Sequence, residues 1–125
     1  MMKIEKIRQW CPELDQGLSL TFGRDRDAIA RGVNNGWLEA YRLWDGAAYM
    51  VTRVEHGELT CCCYQGERVI EAMRWMRATC ARLGLHAIRF HTQRPGLQRL
   101  LHEFGFQLDA YVFRVELPSA NEVAA

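Results

Sequence analysis

The sequence predicts an α+β domain whose mixed sheet carries helices on both faces. Two observations lead to this class. First, three β-like runs separated by short turns follow one another over residues 37–64. Second, a run with helical spacing at 67–83 stands between the last of these strands and a further strand-like run at 87–92. Because a strand–helix–strand unit joins parallel strands, we expect an antiparallel meander extended by one parallel pair.

The N-terminal part of the chain could form one short strand and two helices. Residues 3–7 fit the strand, and residues 12–19 fit a helix with Pro12 in its first turn. Residues 24–33 fit the second helix. Asn34-Asn35-Gly36 is expected to end it, because these residues tolerate a left-handed backbone.

The middle of the chain predicts the meander and the helix after it. Its strands are 37–44, 47–55 and 58–64, joined by the turn signals Asp45-Gly46 and His56-Gly57. The spacing of the next apolar residues is four, three, four and three, which is one helix face. These residues are Val69, Met73, Met76, Cys80 and Leu83.

The last part of the chain predicts one strand, one helix and a closing strand region. Residues 87–92 are the strand, and Pro95 and Gly105 mark the two ends of the helix. Apolar residues alternate over 106–117, which indicates one long strand or a strand pair.

The composition is that of one ordinary globular domain. The chain has 125 residues, of which 49% are hydrophobic and 25% charged. We expect a single domain over residues 1–117 and a flexible tail over residues 118–125, which are small and polar. No apolar run is long enough to span a membrane and no secretory signal is visible, so a cytoplasmic protein is expected.

The five cysteines include no CxxC pair, and their odd number without a secretory signal indicates reduced thiols. Cys61-Cys62-Cys63 lies in a β-like run, where successive side chains are expected to alternate between two faces. Three thiols placed in this way cannot converge on one metal ion, so no metal site is predicted.

Basic and acidic residues are nearly balanced, at 16 and 15, so the net charge of +1 gives no general reason to expect nucleic acid. The charge is unevenly distributed, because residues 68–99 hold seven arginines and a single acid, Glu71. Both an acidic partner and a solvated helix face fit this cluster.

Two segments carry a resemblance. The first precedes the 67–83 helix and reads Cys63-Tyr64-Gln65-Gly66-Glu67-Arg68, and the second, residues 94–106, ends in Gly105-Phe106. With the order of elements, they resemble the GNAT superfamily of acyl-CoA N-acyltransferases over about residues 24–117. The resemblance implies a GNAT-like sheet and acetyl-CoA or another acyl-CoA as cosubstrate.

In that family, a Gln/Arg-x-x-Gly-x-Gly/Ala loop holds the CoA pyrophosphate on backbone amides at a helix N-terminus. Gly66 stands at the first glycine, Cys63 at the Gln/Arg and Arg68 at the second small residue. Arg68 could clamp a phosphate or block the pocket. The cofactor-binding residues implied by the resemblance are Cys63, Gln65, Gly66, Arg68 and Arg94.

The second family signature is Asn-x-x-Ala-x-x-x-Tyr-x-x-x-Gly-Phe, whose Tyr protonates the leaving thiolate. Here Arg94 stands at the Asn position and Leu101 at the Tyr position, and leucine has no proton to give. His91, near the end of the strand at 87–92, is the candidate catalytic residue that could deprotonate an amine. A half-buried strand histidine with a backbone partner is the alternative interpretation.

Two functions remain open. The first is an N-acetyltransferase-like enzyme with a degenerate active site, which takes acyl-CoA and an amine acceptor. The alternative is a non-catalytic GNAT-fold structural or protein-interaction component without a cofactor. It would belong to an oligomer or larger assembly such as a bacteriophage particle, because short, divergent chains of this kind resemble phage-encoded proteins.

Overall fold

The computed structural model describes residues 2–92, 94–108 and 115, in two compact units, Met1–Gln93 and Arg94–Ala125. The predicted tail at 118–125 and most of the predicted strand region at 106–117 lie outside the described residues. Residues 106–108 belong to no helix or strand. A single domain over 1–117 therefore stays a prediction.

The first unit contains a five-stranded sheet in the order β1-β2-β3-β4-β5. The strands are β1 Ile4–Ile7, β2 Glu39–Leu43, β3 Ala48–Glu55, β4 Glu58–Gly66 and β5 Ala87–Phe90. Neighbours from β1 to β4 are antiparallel, and β4 and β5 are parallel. The predicted meander and crossover are both confirmed.

The helices of the first unit are α1 Pro12–Gly17, α2 Arg26–Asn35 and α3 Val69–Leu83, with a short 3-10 turn at Trp44–Gly46. The second unit contains α4 Pro95–Glu103. Gly36 and Gly84 end α2 and α3 in the left-handed conformation that their positions predicted. No helix among the described residues is long and apolar enough to cross a bilayer.

Helices cover both faces of the sheet, as predicted. Trp75 on α3 meets the Tyr41 ring on β2 edge to face, with ring centroids 5.7 Å apart. Ala40, the neighbour of Tyr41 on β2, lies instead in a buried cluster with Leu14 of α1 and Val33 of α2. Because successive strand residues point to opposite faces, α3 covers one face and α1 with α2 covers the other.

The α3 layer is built from the apolar stripe that the sequence predicted. Met73, Met76 and Cys80 are buried. Leu83, at the end of the stripe, is 55% exposed. It is the last helical residue before Gly84, where the chain turns away, so the stripe is one residue shorter than predicted.

An ionic network fastens α1 to the sheet. Arg42 of β2 stands directly between Glu5 of β1 and Tyr49 of β3 in the strand register. The Arg42 Nε donates to Glu13 Oε2 of α1 at 2.6 Å, and Nη1 donates to Glu5 Oε2 at 2.7 Å. The Tyr49 hydroxyl donates to the same Glu13 oxygen at 2.6 Å. Gly17 at the end of α1 packs on the Tyr49 ring, where a Cβ would come within 2.3 Å of a ring carbon.

Acidification should remove the stability that this network supplies. Hydrogen bonds from Arg42 and Tyr49 lower the pKa of Glu13 from 4.5 to about 2. The contribution to the free energy of unfolding is therefore complete above the unfolded-state pKa and is lost as the pH falls through the folded-state pKa. Denaturant titrations from about pH 7 to about pH 2.5 should show this decline. Glu13→Gln should flatten it, and Glu103→Gln on α4 should not; an unchanged acid limb in Glu13→Gln would contradict the assignment.

Candidate functional site

β4 extends beyond the end of β5 and leaves a gap in the sheet. The two strands pair from Glu58 opposite Ala87 to Cys61 opposite Phe90. One further bond follows, from the His91 N–H to the Cys61 carbonyl at 3.0 Å. β4 continues to Gly66, so within the described part of the chain its last residues have no strand partner on the β5 side. This opening, which we call the β4–β5 gap, extends toward the first turn of α3.

A β-bulge at Cys62 lies where the gap begins. Thr52 of β3 is opposite Cys61, but Val51 is opposite Cys63, so Cys62 is an extra residue in β4. Cys62 and Cys63 both pack against the cluster under α1 and α2. The expected strict alternation of the three thiols is therefore wrong at this point, because the bulge breaks the two-residue period. Among the described residues, no group of three metal-ligating side chains comes together.

Cys63 and Gln65, two predicted cofactor-binding residues, have side chains that serve the fold. Cys63 is 1% exposed, and burial raises the pKa of its thiol to about 11. The Gln65 Oε1 accepts the Leu20 N–H at 2.8 Å and so ties the α1–α2 loop to the end of β4. Any contact of Cys63 with a ligand would come from its backbone.

Gly66 is required by the close approach of β3. Its φ is +126°, and a Cβ would lie 2.4 Å from the Ala47 carbonyl oxygen and 2.5 Å from the Ala48 Cα. The next amide, that of Glu67, donates to the same Ala47 carbonyl at 3.1 Å. An amide that the resemblance would assign to phosphate thus already has a partner in the chain.

Arg68 precedes α3 in a left-handed conformation, with φ at 59°. Its guanidinium lies over the Trp44 ring, 5.2 Å from the centroid. Trp44 belongs to the turn between β2 and β3, whereas the gap opens on the β5 side of β4. The guanidinium is therefore drawn to the side of β4 away from the gap and does not fill it.

His91 lies at the rim of the gap, where solvent reaches part of its side chain. Partial burial of the ring, together with the charges of Arg53 and Arg89, lowers the pKa of the imidazole below its usual 6.5. The ring is consequently neutral at neutral pH, which is the state that a general base requires. Sequence reasoning singled out His91 but missed Arg53, because only the strand register brings β3 and β5 together around β4.

Arg94 and Leu101 belong to the second unit. Arg94 is the N-cap residue of α4, and its carbonyl accepts the Gln98 N–H at 3.0 Å. Leu101 is buried on the same helix. The cofactor-binding role of Arg94 stays a prediction.

An open groove of about 280 Å³ lies elsewhere, between the end of β1 and the C-terminus of α2. Lys6, Arg8, Asn34 and Gly36 are among its lining residues. Lys6 is paired with Glu39 at 3.3 Å. The groove holds none of the predicted site residues.

The solved structures that are similar to this chain include several acetyltransferases. An IAA acetyltransferase from Bacillus cereus aligns with a TM-score of 0.61 at 15% identity, over 84% of this chain and 75% of that one. The aminoglycoside N-acetyltransferase AAC(6')-Iy in complex with CoA aligns at 0.57 and 14% identity, over 95% and 96%. A predicted acetyltransferase with acetyl-CoA from Clostridium acetobutylicum aligns at 0.53 and 12% identity, over 93% and 96%.

These likenesses show that the chain has the fold of the GNAT acetyltransferases. The fold that the sequence resemblance implied is thus confirmed. No protein-family model and no curated protein sequence matches the chain.

Replacing Gly66 should destabilise the protein even without a ligand. Gly66→Ala places a Cβ against the Ala47 and Ala48 backbone at a positive φ. We expect a loss of about 2–4 kcal/mol in the free energy of unfolding, from backbone strain and overpacking. Gly96→Ala is the control, because a Cβ there meets nothing within 4 Å. Equal stability of the two variants in denaturant titration would contradict the packing role of Gly66.

Proposed function

We propose that the chain is an acyl-CoA-dependent N-acyltransferase whose β4–β5 gap receives the thioester arm. The observation that carries this proposal is the end of parallel pairing at Cys61 opposite Phe90, while β4 runs on to Gly66. A strand edge without a partner strand can pair with an extended ligand through backbone hydrogen bonds. The pantetheine arm of CoA is extended and carries two amides, so it suits such an edge.

The phosphates of CoA would lie at the start of α3. This helix has 15 residues and no side-chain cap, so the amides of its first turn are available to an anion. Arg68 adds a positive charge beside them. Its cation–π contact with Trp44 is worth about 0.5–1 kcal/mol, less than a charge-assisted bond to phosphate, so the guanidinium can exchange one for the other.

The chemistry needs few protein groups. The amine nitrogen of the acceptor attacks the thioester carbonyl, a C–N bond forms, and the C–S bond breaks. The His91 imidazole accepts the proton that the amine loses. The CoA thiolate takes a proton from water, because Leu101 stands where the resembling family has a tyrosine. The rate gain would then come chiefly from holding the two substrates together.

A second candidate, a non-catalytic GNAT-fold component that acts through protein contacts, has one specific observation in its favour. The close approach of Ala47 and Ala48 to Gly66, and the bond from the Glu67 amide to Ala47, fill part of the loop with the chain's own atoms. In this proposal the protein binds no CoA and belongs to an assembly such as a phage particle. Location in the cytoplasm fits the enzyme and stays a prediction.

Acetyl-CoA binding separates the two candidates. Isothermal titration of the purified protein with acetyl-CoA and with CoA should show micromolar affinity if the gap and α3 form the site. Arg68→Gly should weaken this affinity about fivefold, through loss of about 1 kcal/mol of charge interaction, while glycine accepts the left-handed backbone. The control is Arg74→Gln, which removes the charge of another arginine on α3. Glutamine is used there because glycine is unsuitable inside a helix. Tighter binding by Arg68→Gly would identify the guanidinium as an obstruction, and no binding up to millimolar acetyl-CoA would favour the assembly component.

The pH profile of acetyl transfer tests His91. The pKa of the imidazole lies below 6.5, so the ring stays neutral until the pH falls to its pKa and becomes protonated below it. In His91→Ala, kcat/KM for an amine substrate should therefore fall about 10²-fold or more. After correction for amine protonation, its decline at acidic pH should also disappear. His56→Asn removes another imidazole and retains a residue that accepts the positive φ there. A His91→Ala variant with the profile and rate of His56→Asn would exclude His91 as the base.

A further inference from the structure

We propose that the acceptor is a small amine that also carries an anionic group, which Arg53 and Arg89 bind; this rests on the proposed N-acyltransferase function. The two arginines come from strands on opposite sides of β4. Neither belongs to the loop or signature segments that carry the family resemblance. They therefore concern the choice of acceptor rather than CoA binding.

The strand register places the two arginines in one row. Thr60 of β4 is directly opposite Arg53 of β3 and directly opposite Arg89 of β5. Directly opposite side chains point to the same face of a sheet and have Cβ atoms about 5 Å apart, so the two arginines lie about 10 Å apart on either side of Thr60. An anion of a few atoms can be reached from both.

This row lies on the face opposite α3. Cys61, next to Thr60, is opposite Phe90, whose ring contacts the Tyr64 ring, with centroids 6.3 Å apart. Tyr64 is opposite Met50, and both are buried on the α3 side, because Val51 beside Met50 lies in the α1–α2 cluster. Thr60, one residue from Cys61, consequently faces the α1–α2 side. The row shares this face with Cys62, at the start of the gap.

Arg53 is ion-paired with Glu55, but its buried Nε has no well-directed hydrogen bond. Its Nε is buried and makes no hydrogen bond, although Glu55 Oε2 lies 3.2 Å away in an unsuitable direction. A buried guanidinium donor without a well-directed hydrogen bond costs free energy, and an anionic group of a ligand can accept that hydrogen bond. Arg89 forms an ion pair with Glu58, with Nη1 and Oε2 3.7 Å apart.

Two guanidinium groups and their two carboxylate partners lie beside the rim of the gap. Arg53 and Arg89 both act on the His91 imidazole and lower its pKa. Glu55 pairs with Arg53 and Glu58 with Arg89, and both carboxylates come from the hairpin end of the row. An anionic substrate would share the two guanidinium groups with these carboxylates, on the side of the arginines on which His91 lies.

The spacing sets the size of the acceptor. His91 follows Arg89 by two residues, a distance of about 6.6 Å along an extended chain. An anionic group between the arginines places an amine three or four bonds away within reach of the His91 imidazole. β-Alanine and phosphoethanolamine have this spacing. β-Alaninamide is the counterpart of the first without the anionic charge, at similar size, and ethanolamine is the second without its phosphate.

The first experiment compares these pairs as acceptors at saturating acetyl-CoA, with release of the CoA thiol as the signal. We expect kcat/KM to be at least about tenfold higher for the anionic member of a pair, as for a charge-assisted hydrogen bond. Preference within the β-alanine pair alone would identify a carboxylate, and preference within the phosphoethanolamine pair alone a phosphate. Arg53→Gln should abolish the preference and leave the acetyl-CoA affinity unchanged. Arg74→Gln, an exposed arginine on α3, should retain it.

The second experiment needs no acyl-CoA. The proton resonances of the His91 imidazole, assigned by their loss in His91→Asn, should shift when β-alanine or phosphoethanolamine is added and should not shift in Arg53→Gln. A shift without any acetyl-CoA binding would support the anion site and overturn the acyltransferase function. Acetyl-CoA binding with neutral acceptors used as well as anionic ones, and no shift of His91, would overturn the anion site alone.

Discussion

β3 and β4 pair along their whole length, from Ala48 opposite Gly66 to Glu55 opposite Glu58. This pairing holds the other parts of the candidate site in place. At one end, the close approach of Ala48 to Gly66 determines where β4 stops and α3 begins. In the middle, the mismatch at Cys62 produces the bulge beside the gap. Toward the other end, the same register brings Arg53 opposite Thr60, and hence into line with Arg89 on β5.

The elements were largely predictable because each has a local signal. The spacing of Met73, Met76 and Cys80 indicated α3, and Gly84 marked its end. His56 and Gly57 both have a positive φ, which is the geometry that two-residue hairpin turns favour. The order of strands then followed from short connections and one crossover.

The candidate site was less predictable because it depends on register. The bulge at Cys62 and the row through Arg53 and Arg89 exist only once particular residues stand opposite each other on different strands. The same holds for Arg42, which meets Glu5 across one strand pair and Glu13 from a helix. The sequence correctly singled out Gly66 at the junction of β4 and α3. The contact that requires glycine there comes from β3, and the local sequence does not show it.

The outer strand of the sheet has a further consequence. Among the described strands β1 lies at an edge, and the chain's only two lysines, Lys3 and Lys6, lie beside it and on it, both exposed. Strongly hydrated ammonium groups at such an edge discourage the addition of a strand from another molecule, which protects the sheet from edge-to-edge aggregation. All other basic side chains are arginines, which amine-reactive reagents leave untouched. An amine-reactive fluorophore or cross-linker would therefore label only these two lysines and the α-amino group.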